Sequence, residues 1–386
     1  MNSELPVSNK QIVSFIDSLK NNLPEHRDNR GKRHTLVLVI VGFVSATLVG
    51  RQKLSSIHRY ICNRADWLYE ITETQKVKPI SRAHLPRLLN GLDWLALNEL
   101  IESSFGVQIH YNQSKKWIAI DGKALRGTLD AGDKQNIVLA VDHHTREVVA
   151  QARQSGDKSS EIPVVRELLK GSGLEKQKVS LDAHHFNPIT TTQIHQAEGI
   201  YLTQVKENQA IFLKQCKLLP TQSTALAETT SHEKAHGRVT TRRAQLFSLD
   251  SLSLAPRWKS SGLLTLIVME RETVEISKNK TTFDTSYYVS NLAIESSSTK
   301  SLVEELAGAI RCHWGVESNN WIRDVTFNED HIKTKAGNQA QIMALLRGLA
   351  IELIRKSAPK NFQAAIENLS DSVANLESML RQVKFL

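Results

Sequence analysis

Two short stretches, WIAID (117–121) and VSLD (179–182), decide how this chain is read. Each is a run of apolar, β-forming residues that ends on an aspartate. Short apolar runs of this kind suit strands of a sheet covered on both faces by helices. If the two strands are neighbours, their carboxylates project from one sheet edge toward one point. A third acid, Glu317, lies in a helical stretch far downstream. Three gathered carboxylates repel one another unless cations neutralise them. Hard oxygen donors with little Cys or His suit Mg2+ or Mn2+. Two such ions can activate a nucleophile and stabilise a leaving oxygen in phosphoryl transfer. On spacing alone, an aspartate that merely caps a turn or helix is the simpler reading of each.

The flanking sequence supplies a mixed α/β order. NIVLAVD (136–142) and EVVAQAR (147–153) read as strands joined by the turn 143–146. EIPVVRELLKG (161–171) has Ile162, Val165, Leu168 and Leu169 on one helical face, with Gly171 as a stop. A helix follows Pro188, and YLTQV (201–205) is a further strand. Residues 220–298 suggest strands at Arg242–Leu249, Leu263–Met269 and Tyr287–Asn291, read as a β insertion separate from the α/β core.

Helix returns at Lys300, with Leu302, Leu306 and Ile310 on its buried stripe. Glu317, two turns past Ile310, is expected on that same inward stripe. Glu329 and Asp330 are the rival acids, expected to face solvent after the helix unwinds. A last long helix spans Gln339 to Arg355.

Upstream, residues 1–105 read as helical. Ile12, Phe15, Ile16 and Leu19 share a face, as do Leu54, Ile57 and Ile61; Ser81 is a candidate N-cap, and Gly91 and Asp93 break the helix it starts. Thr35 to Gly50 is the longest apolar run, short of the roughly 20 residues a membrane span needs. It reads as a buried core helix. The expected divisions are 1–110 (helical, basic, DNA-binding), 111–220 (catalytic core), 221–298 (β-rich insertion) and 299–386 (the rest of the core and C-terminal helices).

The chain has 386 residues, enough for two or three domains, and carries 49 Lys+Arg against 40 Asp+Glu, a net charge of +9. That excess suits an anionic partner, nucleic acid first and a membrane surface second. From Asn21 to Arg64 eight Lys/Arg face only Glu25 and Asp28, so most of the excess lies there. Arg30, Lys32 and Arg33 are the expected phosphate contacts. Three cysteines exclude a disulfide scaffold and a Cys-based zinc finger, and fit a reducing compartment. The polar start, Met1 to Lys10, is unlike a signal peptide.

Six ordered blocks now carry a resemblance. RGKRHTLVLVIV, WIAIDGKALRGT, KVSLDAHH, YLTQVKENQ with AHGR, YYVSNL, and RCHWGVES…RDVTFNED resemble the DDE transposases of bacterial insertion sequences. Within these, the chain is most similar to the ISAs family, which includes the H-repeat-associated proteins. The resemblance runs from about Asn29 to about Arg355. It implies an RNase H-like core with a β-rich insertion before the last acid, and Asp121, Asp182 and Glu317 as catalytic residues binding two Mg2+ or Mn2+ ions. It implies cleavage of transposon ends and joining of the freed 3′-hydroxyls to target DNA, by a homodimer on double-stranded DNA. A bacterial, cytoplasmic, nucleoid-associated protein follows. A domesticated DNA-binding descendant, and a nuclease that cuts without joining, are the other readings. The chain departs from the family pattern at Asn187, where Gln is usual, at Glu207, where Gly is usual, and at Asp324, seven instead of eight residues past Glu317.

Further candidates follow from chemistry near the motifs. Lys123 and Arg126, after Asp121, suit phosphate contact, as do Lys206, Asn208 and Gln209. His236 and Arg238 lie in a basic stretch of the insertion. His313 shares a helical face with Glu317 and suits either metal support or phosphate contact. The pairs His143-His144 and His184-His185 make poor chelates, because adjacent strand residues point to opposite faces. Trp314 and Trp321 fit base stacking, although an aromatic beside a core more often packs into it.

Overall fold

The computed structural model describes residues 14–28, 32–106, 114–131, 135–155, 161–235, 237–295, 297–334 and 337–386. Arg30 and His236 lie outside the described residues. The chain divides into two units. One comprises residues 1–106, 125–135 and 322–386; the other comprises 107–124 and 136–321.

The first unit is helical: α1 (Phe15–Asn22), α2 (Leu36–Leu48), α3 (Leu54–Asn63), α4 (Ala65–Thr72), α5 (His84–Asn90), α6 (Trp94–Phe105), α11 (Gly337–Lys356), α12 (Phe362–Asp371) and α13 (Val373–Gln382). Thr35 caps α2 by accepting from Leu38 N–H, and every residue of α2 is buried. With no polar face, this helix can only lie inside a bundle. Gly42 lets α3 close on it, since a Cβ there would come 2.8 Å from Ile61 Cγ1. Among the described residues no helix is long and apolar enough to cross a membrane.

The same unit encloses two cations and one acid. Glu329 is buried between Arg323 and Arg347, whose guanidinium nitrogens lie 3.6 and 3.5 Å from its Oε1. The expectation that Glu329 faces solvent is therefore wrong. The chain beyond Trp321 does not simply unwind; it forms a π-turn, Ile322–Thr326, then a short turn, Glu329–His331, that carries the acid inward. Asp330 is only partly covered and pairs with Arg126 at 3.5 Å.

The second unit is built on one nine-stranded sheet: β1 (Trp117–Ala124), β2 (Gln135–Asp142), β3 (Val148–Ser155), β4 (Lys178–Leu181), β5 (Ile200–Val205), β6 (Ala227–Ala235), β7 (Arg238–Ser248), β8 (Thr265–Glu275) and β9 (Lys280–Ser290), in the order β3-β2-β1-β4-β5-β9-β8-β7-β6. β1, β4 and β5 are parallel, and β2 is antiparallel to β1. This five-strand half is the RNase H-like arrangement that the resemblance implies. The β-rich insertion is not detached from it: β9 pairs antiparallel with β5 and extends the same sheet. Helices α7 (Glu161–Gly171), α8 (Pro188–Gln196) and α9 (Ala210–Gln222) serve one face, through a core with Ile118, Ile120, Val165, Leu169, Ile194 and Phe212. Helix α10 (Thr299–Trp321) covers the other, through Leu302, Val303, Leu306 and Ile310.

Removing the acid at position 329 leaves two buried guanidiniums uncompensated. Glu329→Gln should lower unfolding free energy by about 3–5 kcal/mol in urea titrations. A change under about 1 kcal/mol would show that the cluster does not hold the helical unit together.

Candidate active site

The register of the parallel pair places the two aspartates. Ile120 on β1 stands opposite Leu181 on β4, and Asp121 and Asp182 are the next residues along the chain. Asp182 lies just past the end of β4, but Asp121 lies inside β1, which runs on to Ala124, so the expected strand end at Asp121 is wrong. The two carboxylates leave neighbouring chain segments at the same level. Side chains alternate along β1. Ile118 and Ile120 face the α7 core, so Trp117 and Asp121 face α10. Trp117 Nε1 donates to Glu305 on that helix at 2.8 Å. Asn320, also on α10, donates from Nδ2 to Asp121 Oδ2 at 3.4 Å, while its Oδ1 is buried with no hydrogen-bond partner among the described residues.

Asp182 caps the turn Ala183–His185 by accepting from Ala183 N–H at 2.6 Å. Lys206 Nζ stands 3.6 Å from its Oδ1. Burial pushes the Asp182 carboxyl up, but the Ala183 N–H, Lys206, His313 and His185 together hold it below the usual range. Asn208 and Gln209 brace the same turn. Asn208 Nδ2 donates to Ala183 O at 2.7 Å, and Gln209 Nε2 to Phe186 O at 3.0 Å. Gln209 Oε1 in turn accepts from Arg257 at 2.6 Å. Asn187 has a local job that suits its shorter amide: it caps α8, accepting from Thr190 N–H, with Pro188 in the first turn.

Glu317 is exposed, not inward as its spacing from Ile310 suggested. Seven residues turn a helix about 700°, so an i+7 stripe drifts by about 20° per step. The buried positions after Ile310 are Gly315, Val316 and Asn319, and Glu317 sits on the rim. It still senses the site: partial burial, then Asp182, raise its carboxyl, and Lys206 partly offsets them. His313 hydrogen-bonds through Nδ1 to Ser180 Oγ at 2.8 Å, and that hydroxyl also meets His143 Nε2 at 2.8 Å. Burial is the main cause that lowers His313 to about 4.

The remaining candidates are spread out. Lys123 is buried. Arg126 is exposed beside Asp330 in the helical unit, where Lys32 and Arg33 are exposed too. Arg238 pairs with Glu275 at 3.2 Å on the β7–β8 ladder. Trp314 and Trp321 are 55% and 59% exposed, so packing does not account for them.

One residue at the site escaped the sequence reading. Glu161, at the start of α7, is buried and takes a 2.9 Å hydrogen bond from His185 Nε2. In sequence it looks like an ordinary acid in the first turn of an amphipathic helix. Only Gly122, directly after Asp121, hinted that something must approach β1 there.

The carboxylates are near one another but do not form a closed cage: among the described residues no three Asp, Glu, His or Cys are grouped closely enough to hold a metal ion. Their electrostatics show strain of another kind. Burial first, then Glu161 and Asp182, push the Asp121 carboxyl from 3.8 up to about 6. A folded pKa above the unfolded one means that protonation favours folding. That stabilisation is complete below the unfolded value and is lost as pH rises through about 6. In EDTA, Asp121→Asn should therefore be more stable than wild type by up to about 3 kcal/mol near neutral pH. The gap should close toward pH 4, as read from urea midpoints across the range. A gap that does not change with pH would show that Asp121 is not perturbed.

A family model described as "Transposase DDE domain" matches residues 110–353, and one described as "DDE_Tnp_1-associated" matches residues 18–103. "Putative transposase YncI" of Escherichia coli O157:H7 is 26% identical over 353 residues, covering 89% of this chain and 88% of that protein. "H repeat-associated putative transposase YhhI" of Escherichia coli K12 is 24% identical, covering 89% and 90%. The matched span takes in Asp121, Asp182 and Glu317 together with the whole nine-stranded sheet, and on that basis the chain belongs to the DDE transposase family.

Proposed function

We propose that this protein cleaves the ends of its insertion element, frees 3′-hydroxyls and joins them to target DNA, with Asp121, Asp182 and Glu317 as the catalytic carboxylates. The observation that carries the reading is the parallel register that sets Asp121 within β1 level with Asp182 just past β4, with Glu317 within electrostatic reach on α10. One site serves cutting and joining, because both are attacks on a phosphodiester by an oxygen nucleophile. Two protomers are called for, one at each element end.

The donors fit a divalent cation in kind. They are hard oxygens, the Asp121 carboxyl is pushed up by burial and neighbouring acids, and the buried Asn320 Oδ1 beside it has no partner among the described residues. Asp121, Asp182 and Glu317 would hold Mg2+ or Mn2+, two ions in all, which when bound would lower the charge on the attacked phosphate and ease loss of the hydroxyl proton. The chain's own groups do the rest. Lys206 offsets the charge on Asp182, Asn208 and Gln209 fix the turn that carries it, and Asn320 orients Asp121.

DNA contact rests on basic and aromatic surface. In the helical unit a cleft of about 480 Å3 is lined by Arg51, Arg59 and Arg64 with Ser56, Ser370 and Ser372. Lys32 and Arg33 are exposed in the same unit. In the sheet unit, exposed Trp314 and Trp321 stand three residues before and four after Glu317, suited to stacking on bases next to the scissile bond. His313 is better suited to supporting the Asp182 strand through Ser180 than to touching phosphate.

Asp121→Asn and Asp182→Asn should each reduce Mg2+-dependent cleavage of element-end DNA by about a thousandfold or more, with duplex binding retained. Cleavage at the wild-type rate by either variant would overturn the site. Replacing Arg59 and Arg64 by Ala should weaken duplex binding and lower the slope of log affinity against log salt by about 2. An unchanged slope would remove the cleft from the DNA-binding surface.

A further inference from the structure

Glu161 and His185 form a buried pair that the proposed chemistry does not use. A carboxylate in the first turn of a helix is ordinarily solvated, and burying one is costly unless it is hydrogen-bonded. Glu161 is only 5% exposed and His185 is fully enclosed. Among the described residues the 2.9 Å bond from Nε2 to Oε1 is the only hydrogen bond of that imidazole, because its Nδ1 is buried with no partner there.

The pair touches the supports of both aspartates. On one side the Glu161 carboxylate sits against the backbone of Gly122, the residue after Asp121. A Cβ at Gly122 would come within 2.6 Å of Oε1 and closer still to Oε2, so only glycine leaves the notch that the carboxylate fills. On the other side His185 lies three residues past Asp182, and its backbone N–H donates to Asp182 O at 3.0 Å. β1 and β4 already pair at Ile120 and Leu181, but the sheet ladder between them stops there. Beyond that last rung the Glu161–His185 bond links the two aspartate-bearing segments, Asp121–Gly122 of β1 and the turn that starts at Asp182.

We propose that Glu161 and His185 are positioning residues that set the separation of Asp121 and Asp182. This rests on the reading of those aspartates as cation ligands. A fixed separation lets the two carboxylates meet one ion without first being gathered, which favours cation binding through preorganisation.

The test is Mn2+ affinity of the full-length protein, read by calorimetry or by the spin-resonance signal of free Mn2+, beside urea midpoints in EDTA. Glu161→Ala removes the link and should weaken Mn2+ binding at least tenfold. Glu161→Gln keeps an oxygen that accepts from His185 Nε2 and should stay within about threefold of wild type. Gly122→Ala fills the notch, adds no charge, and should weaken binding as Glu161→Ala does. It also serves as the readout if Glu161→Ala does not fold. Wild-type affinity in both Glu161→Ala and Gly122→Ala overturns the proposal, and so does a Glu161→Gln variant as weak as Glu161→Ala, because charge and not the link would then be responsible. Asp121→Asn separates the two levels. If it binds Mn2+ as tightly as wild type, the cation reading itself fails and takes the proposal with it. If it loses binding while the Glu161 and Gly122 variants keep it, only the proposal fails.

Discussion

Everything at the site depends on the parallel pairing of β1 with β4. That ladder fixes Ile120 beside Leu181 and leaves the next residues, two aspartates, level with one another where β4 ends and β1 runs on. The arrangement is electrostatically unfavourable in isolation, and the perturbed Asp121 carboxyl is the sign of it. The surrounding polar groups follow from that constraint. Lys206 faces Asp182, Asn320 faces Asp121, and the amides of Asn208 and Gln209 hold the turn that would otherwise relax away. Each is a short-range answer to a charge problem created by sheet register.

The helical unit handles charge differently. Arg323, Glu329 and Arg347 are buried together with an excess of one positive charge, far from any role in binding that needs exposure. Arg323 also donates to Ala344 O at 3.0 Å, tying the chain after α10 to the long helix α11. Such clusters specify one packing among the several that an all-apolar helix like α2 would accept, since Leu, Ile and Val contacts alone discriminate weakly between helix registers.

Much of this was legible in the sequence. The strand end at Asp182, the hairpin at 143–146, the break at Gly91 and Asp93, and the wholly apolar α2 follow from periodicity and turn chemistry, and Ser81 accepts from the first residue of α5. What failed, failed for physical reasons. Glu317 lies on a rim because a helical stripe drifts over two turns, and spacing alone does not say where the covering sheet ends. Glu329 was misplaced because two distant arginines, not its neighbours in sequence, decide its burial. β6 was missed because ETTSHEK has no apolar alternation; it is held by pairing with β7. Glu161 was unreadable because its partner and its notch lie 24 and 39 residues away.

The helical unit is assembled from both sides of the sheet in chain order. α1 bonds through Phe15 N–H to Lys384 O and through Ile16 N–H to Phe385 O, and α2 packs against α11. During synthesis, then, a thirteen-residue helix with no polar face meets α1, α3 and α4 early but waits for α11. At about 5–20 residues per second, α11 follows some 15–60 seconds later. The sheet unit can complete its pairing in that interval, whereas the side of α2 that α11 covers stays open until that helix emerges. A message truncated before α11 would leave that side of α2 without its cover, a consequence of the order in which the chain is made.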